Sequence, residues 1–262
     1  MSNLIYKPLG KAGEYSNFAC NFYTGCSAKC EYCYNRNGDR KMTVGKDYPT
    51  LKKALQNERK AIETFRTELQ QNLSELQKHG IFFSFISDPF LPETTLLNLQ
   101  AIYICHENNV PVKVLTKQTK WVDKFIKDEK VNKNLIAYGF TLTGCDELEL
   151  GASPNQERIN AMKRLHDAGY KTFASIEPVI DFERSFLMIE QTIGYCDLYL
   201  VGLESEMERR KTYNEKELEK FISRALHAIE QYPTTKIYGK NGIVSWYCIG
   251  PQVVGSDYNM FK

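Results

Sequence analysis

The chain has no long apolar run. Its longest near-continuous one, Ile81-Phe82-Phe83-Ser84-Phe85-Ile86, is far too short to cross a bilayer. The first residues, Met1-Ser2-Asn3-Leu4-Ile5-Tyr6-Lys7, lack the charged and then apolar pattern of a secretory leader. A cytoplasmic protein with no membrane partner is therefore expected. Net charge is also scarce: 34 basic and 32 acidic residues leave +2, which argues against a surface generally coated for polyanions. Glycine and proline are few, 16 and 9 in 262 residues, and no internal repeat, low-complexity tract or linker divides the chain. Collagen-like structure and wholesale disorder are excluded. One domain over 1–262 is expected, with a core at about 15–205 and a C-terminal helix and closing segment over 206–262.

What is present alternates. Apolar, β-branched or aromatic runs at Phe18–Tyr23, Ile81–Ile86, Val112–Thr116, Ile136–Thr143, Lys171–Ile176 and Leu198–Gly202 read as buried strands. Helical patterns fall between them at 51–79, 93–108, 120–128, 154–168, 182–193 and 214–231. Gly80 and Gly169 close two of these helices. Ser153 and Pro154 read as an N-cap and first helical residue, with Gln156 completing a capping box. Such alternation predicts an α/β fold, a parallel sheet with helices outside it, either open or closed into a full or partial barrel. Chemistry then belongs at the C-terminal ends of the strands. Charge is uneven: residues 111–134 carry seven lysines against three acids, with Trp121 among them, so a local nucleic-acid strip competes with a solvated helix face.

Of eight cysteines, Cys20, Cys105, Cys145, Cys196 and Cys248 are scattered and read as small buried hydrophobes with no paired spacing for a second cluster. Cys26, Cys30 and Cys33 are grouped as C-x3-C-x2-C, a pattern that arises by chance in roughly 1% of such chains and so decides the reading. Structural zinc needs a fourth ligand, and the next candidates, His79 and Cys105, are remote. Cysteines packed inward on a helix are a further alternative, weakened by Gly25 and the aromatic-rich Cys30-Glu31-Tyr32-Cys33-Tyr34. A 4Fe–4S cluster on three cysteines leaves one iron open for a ligand with an amine and a carboxylate.

Cys-x3-Cys-x2-Cys with Tyr32 before the last cysteine resembles the signature of radical S-adenosylmethionine enzymes. Pro8-Leu9-Gly10-Lys11-Ala12-Gly13-Glu14-Tyr15 and Asn21-Phe22-Tyr23-Thr24-Gly25-Cys26 resemble the spore photoproduct lyase-like branch. Ile176-Glu177-Pro178, Val201-Gly202-Leu203-Glu204-Ser205 and Ile237-Tyr238-Gly239-Lys240 resemble a phage-associated relative of it. The resemblance runs from about residue 7 to 245. It implies a partial (β/α)6 barrel with the iron–sulfur loop after the first strand, a 4Fe–4S cluster held by Cys26, Cys30 and Cys33, S-adenosyl-L-methionine on the open iron, and a deoxyadenosyl radical that abstracts hydrogen.

The same resemblance implies a cofactor-binding set. Tyr32 belongs to it through the signature. Ser87 and Asp88 offer acceptors to the methionyl ammonium, although Asp-Pro is also an ordinary turn. Lys117 faces the carboxylate. Thr141 and Thr143 share one strand face, and Thr141 aligns with a serine of the family. Arg158, in Glu157-Arg158-Ile159 followed by Leu165-x3-Gly169, approaches the carboxylate. Glu177 and, with less support, Glu204 point to the barrel mouth.

Catalytic candidates are Tyr34, as hydrogen relay or cluster cover, and Cys145, as a hydrogen donor. The lyase-like donor cysteine near the strand-two serine is absent, since Phe85 and Ile86 precede Ser87. A nucleobase-containing substrate is preferred, with a peptide or small metabolite as the alternative and a non-catalytic iron–sulfur sensor as a remote third. The partner implied is a flavodoxin- or ferredoxin-type one-electron reductant.

Overall fold

The computed structural model describes residues 3–38, 41–204, 213–240 and 250–262. Ser205 and Cys248 lie outside the described residues.

The strands are β1 (Ile5–Tyr6), β2 (Ala19–Cys20), β3 (Tyr23–Thr24), β4 (Thr50–Leu51), β5 (Ile81–Phe83), β6 (Val112–Thr116), β7 (Ile136–Thr141), β8 (Lys171–Val179), β9 (Leu198–Leu203) and β10 (Lys236–Gly239). Eight of them form one sheet in the order β1-β2-β5-β6-β7-β8-β9-β10, while β3 and β4 pair separately. β1 runs antiparallel to β2, and every other neighbouring pair in the large sheet is parallel. Among the described residues the end strands do not pair with each other, so the sheet is an open, partial barrel. β10 is a parallel strand beyond the six expected, and β1 is an added edge.

The helices are α1 (Tyr34–Asn37), α2 (Lys41–Val44), α3 (Glu58–Gln71), α4 (Leu73–His79), α5 (Thr95–Glu107), α6 (Val122–Ile126), α7 (Asn155–Asp167), α8 (Phe182–Thr192) and α9 (Glu215–Glu230). The stretch 51–79 is not one helix. Leu51 pairs with Tyr23, Lys52 donates its N–H to the Phe22 carbonyl, and Gln56 turns at φ 61° before Asn57 caps α3 through Lys60 N–H. Gly80 and Gly169 do close their helices, at φ 72° and 86°. The cap at α7 differs from expectation. Ser153 spends its hydroxyl on Thr119, Gln156 bonds Asn160, and Pro154 precedes the first helical residue.

Two strands end early for a traceable reason. The amides of Phe85 and Ile86 both donate to Asn21 Oδ1 (2.7 and 3.1 Å), which takes them out of the β5 ladder. Likewise Phe18–Tyr23 splits, because Tyr23 leaves the large sheet to pair with Leu51.

Period-two alternation sorts the side chains. Val112, Val114, Tyr138, Phe140, Ala174, Ile176, Tyr199 and Val201 face the helices in the main core. The concave face is layered by register: Phe82, Lys113 and Ala137 lie low, with Phe173 and Leu198 paired above them. Toward the C-terminal ends the layers turn polar: Lys117, Thr141 and Ser175, then Glu177 and Lys240. The low end is closed by residues 253–261, where Val254 donates to the Ile237 carbonyl (3.0 Å) and Val254, Tyr258, Met260 and Phe261 pack beneath the layer.

Trp121 belongs to this packing too. It is 6% exposed, 4.2 Å from Phe90 and 5.0 Å from Tyr138. It therefore offers no stacking face among the lysines of 111–134, two of which, Lys113 and Lys117, point into the sheet's concavity.

Lys113 is half-buried there, with its ammonium donating to the Tyr15 carbonyl. Burial pulls it from 10.5 to about 8. The unfolded chain then holds the extra proton between these values, so this residue's contribution to stability improves as pH rises through that window. The stability advantage of Lys113→Met over the natural chain is expected to be largest below pH 8 and to shrink by about 3 kcal/mol toward pH 10.5, read from urea melts across pH. A difference that does not change with pH would count against a half-buried charged lysine.

Candidate active site

The polar ends of the strands surround a cavity of about 430 Å³. One side is the cysteine loop. Gly25 enters it at φ 80°, and a Cβ there would stand 2.2 Å from the Tyr48 carbonyl oxygen, so only glycine passes. The loop is then tied by main-chain bonds on both flanks: Gly25 N–H to Val44, Cys26 N–H to Lys46, Glu31 N–H to Leu148, and Gly151 N–H to Ala28, each 2.9–3.0 Å. These bonds leave Cys26, Cys30 and Cys33 free of disulfides and lining one space. Burial, then the Asp88 charge, pushes the Cys26 thiol up to about 12, and burial raises Cys30 against the pull of Lys117. Both are therefore protonated until a metal displaces the proton. Among the described residues no three His, Cys, Asp or Glu side chains converge on a single ion.

The adjacent wall comes from β5, β6 and β7. The buried Ser87 hydroxyl lines the cavity and has no hydrogen-bond partner among the described residues. Asp88 is engaged: Oδ1 accepts from Thr116 Oγ1 (2.6 Å) and Phe90 N–H (2.9 Å), and Oδ2 from Lys117 N–H (2.7 Å). It clips the turn after β5 to the end of β6. The Lys117 ammonium lies over the Tyr32 ring at 5.6 Å and makes no hydrogen bond within the described residues. Burial lowers it, but Cys30, once it is a thiolate, and the Glu149 carboxylate outweigh burial and the net shift is upward. Thr141 lines the same wall. An unpartnered hydroxyl and an unpaired cation beside three thiols suit a ligand carrying a carboxylate.

Arg158, Thr143 and Cys145 are not part of the cavity lining. Arg158 is wholly buried behind it. Its guanidinium donates to the Thr141 carbonyl (2.6 Å), to the Ser153 carbonyl (2.6 Å) and to Glu149, which also accepts the Tyr32 hydroxyl. The expected direct contact with a methionyl carboxylate is thereby replaced by a supporting place beneath Tyr32. Thr143 accepts from the Cys145 N–H (3.2 Å), closing the turn, and the Cys145 sulfur takes a contact from Arg184 at 3.6 Å, with burial raising its thiol.

Across the cavity stands a second polar group. Glu177 Oε2 accepts from the Lys240 ammonium and the Tyr15 hydroxyl, both at 2.7 Å, and Tyr15 also bonds Ser175 Oγ at 2.8 Å. The carboxylate rests on Gly202, where a Cβ would come within 2.7 Å of it. Glu204 lines the cavity beside it, and Tyr34 roofs it with its hydroxyl donated to the Phe85 carbonyl.

With this arrangement in view, the family described as "Protein of unknown function (DUF5131)" matches residues 12–222, most of the chain. The chain belongs to the DUF5131 family. The uncharacterized protein MJ0683 of Methanocaldococcus jannaschii is 25% identical over 188 residues, 68% of this chain and 65% of that relative's length. The chain thus spans just under two thirds of the curated relative it matches. Among solved structures it is similar to spore photoproduct lyase complexed with dinucleoside spore photoproduct (TM-score 0.66, 17% identity, 88% of this chain and 78% of that one). A double mutant of that lyase with bound AdoMet and the same dinucleoside gives a TM-score of 0.61 at 16% identity, over 85% and 76%. Streptococcus suis SuiB bound to precursor peptide SuiA gives 0.57 at 15%, over 84% of this chain and 48% of that one. These likenesses establish the fold of this DUF5131 member as the radical S-adenosylmethionine type, in its open form.

Five contributors escaped the sequence reading: Glu149, Tyr15, Ser175, Lys240 and Asn35, the last donating to the Phe85 carbonyl at 3.0 Å. Tyr15 and Lys240 did carry a signal, since each ends one of the segments that bear the family resemblance.

Proposed function

We propose that this DUF5131 protein is a radical S-adenosylmethionine enzyme. Cys26, Cys30 and Cys33 would hold a 4Fe–4S cluster, and Ser87, Lys117 and Thr141 would hold S-adenosylmethionine, with Tyr32 beneath the ammonium of Lys117. The observation that carries this reading is the Lys117 ammonium, unpaired beside Cys30 in the cavity where Ser87 is also unpartnered. When bound, the group supplies one-electron cleavage of the sulfonium to a deoxyadenosyl radical that takes hydrogen from a substrate. The chain's own part is to bind, orient and exclude water. Asp88 holds the backbone of Lys117, so its carboxylate serves the cofactor by fixing that residue. Arg158 and Glu149 fix Tyr32 from behind, and Tyr34 and Asn35 hold the turn before Ser87. Cys145 lies away from the cavity, which leaves Tyr34 as the better candidate for contact with substrate. A flavodoxin- or ferredoxin-type reductant fits this chemistry, in the cytoplasm. A nucleobase-containing substrate is preferred, supported by the likeness to a lyase bound to a dinucleoside; the likeness to a peptide-bound SuiB supports the alternative.

Anaerobically reconstituted protein, reduced with dithionite in the presence of S-adenosylmethionine, is expected to release 5′-deoxyadenosine even without substrate. Lys117→Ala and Thr141→Ala should weaken cofactor binding while leaving iron content intact. Intact cofactor with a reduced cluster and no deoxyadenosine would overturn the assignment.

A further inference from the structure

The far wall of the cavity is separate from the cysteines and from Ser87, Lys117 and Thr141, and it holds Glu177, which the resemblance placed at the barrel mouth. It is built from three distant parts of the chain: Tyr15 before β2, Ser175 and Glu177 on β8, and Lys240 after β10. The Lys240 and Glu177 side chains keep only 5% and 16% of their surface. Buried ion pairs of this kind are no more stabilising than well-packed apolar residues, so stability alone does not account for one facing a cavity.

Its charge and its spare bonding capacity select a ligand. The pair is neutral as a unit. An ion arriving there would leave one charge uncompensated in a poorly solvated place, whereas an uncharged group leaves none. Glu177 Oε2 already takes two donors, but Oε1 accepts no hydrogen bond within the described residues. Lys240 has three N–H bonds and spends one on Glu177, with the ammonium 4.2 Å from the Tyr15 ring centroid. An acceptor and a donor are thus left side by side.

We infer that Glu177 and Lys240, steadied by Tyr15 and Ser175, recognise an uncharged amide-type group of the substrate, one presenting N–H and C=O next to each other. This rests on the enzyme reading for its purpose, but not for its chemistry. Both a lactam edge of a nucleobase and a peptide amide carry that group.

The test is binding, followed by calorimetry or ligand-observed NMR, on protein reconstituted with its cluster and cofactor and also on the chain as isolated. Probes are uridine and N-acetylalanine methylamide, their N-methylated counterparts that lack the donor, and putrescine and acetate as charged controls. Uridine or the peptide amide is expected to bind at millimolar levels, which tells base from peptide. N-methylation, Glu177→Gln or Lys240→Met should weaken binding about tenfold, the size of one well-made hydrogen bond. The double variant Glu177→Gln with Lys240→Met removes both charges together and so guards against misfolding from a stranded one; it should melt cooperatively and also lose binding. Iron content should stay as in the natural chain, because none of these variants touches Cys26, Cys30 or Cys33. Tighter binding of putrescine or acetate, amide binding indifferent to all three variants, or no amide binding overturns the inference. A failure of the enzyme reading appears separately, as absent iron or absent cofactor binding beside an unchanged amide result.

Discussion

Arg158→Met is expected to cost about 3–5 kcal/mol of folding stability, the loss measured when one partner of a buried ion pair is removed. The Glu149 side chain is as inaccessible as that of Arg158 itself. Without the guanidinium its carboxylate keeps one hydrogen bond among the described residues, from the Tyr32 hydroxyl, and the carbonyls of Thr141 and Ser153 lose the Arg158 donor. At roughly 2–4 °C per kcal/mol for a chain of this size, the melting temperature should fall by about 6–20 °C. The exposed pair of Arg164 with Asp123 is the control: Arg164→Met should change stability by less than about 1 kcal/mol. Adding Glu149→Gln to Arg158→Met should recover part of the loss, because the stranded charge goes with it. A single variant within about 1 kcal/mol of the natural chain would show that Arg158 is not an ionic support.

Replacing any one of Cys26, Cys30 and Cys33 by alanine is expected to reduce bound iron and sulfide from about four each per chain to near zero, measured after anaerobic reconstitution. Three ligands are the fewest that hold such a cluster with one iron open, so none is dispensable. Cys105→Ala and Cys196→Ala should keep the full complement. Both thiols are buried away from the cavity that the other three line, so neither reaches a cluster held there. Stoichiometric zinc in place of iron, or a cluster that survives loss of Cys30, would refute the assignment.

Much of this site was legible because its residues sit where short-range pattern puts them. Val112–Thr116 is the strand the β-branched run predicts, to the residue, and Lys117 follows it directly. Thr141 ends β7, two residues short of the strand expected over Ile136–Thr143. What was illegible depends on encounters between distant segments. Tyr32 meets Glu149 across 117 positions, and Tyr15 meets Ser175 across 160. No local period announces such pairs. Arg158 was found but misplaced: helical phase puts it on the inward face of α7, yet whether it crosses the sheet end or stops behind it is set by Glu149. The long helix expected over 51–79 failed at Gln56 and Asn57 because Phe22 offers a carbonyl to Lys52, a contact made 30 positions away.

The fastening of the cysteine loop has a consequence for how such a chain drifts over generations. Val44, Lys46, Ala28 and Leu148 hold the loop through peptide carbonyls, which every residue type possesses. Substitution at Val44, Lys46 or Leu148 leaves these anchors in place, while Gly25 and Gly151, where any side chain would strike the Tyr48 and Ser27 carbonyls, do not tolerate it. Lineages of this protein can therefore vary the residues that lend only a carbonyl to the loop, while Gly25, Gly151 and the side chains of Tyr32 and Asn35 are held to their places.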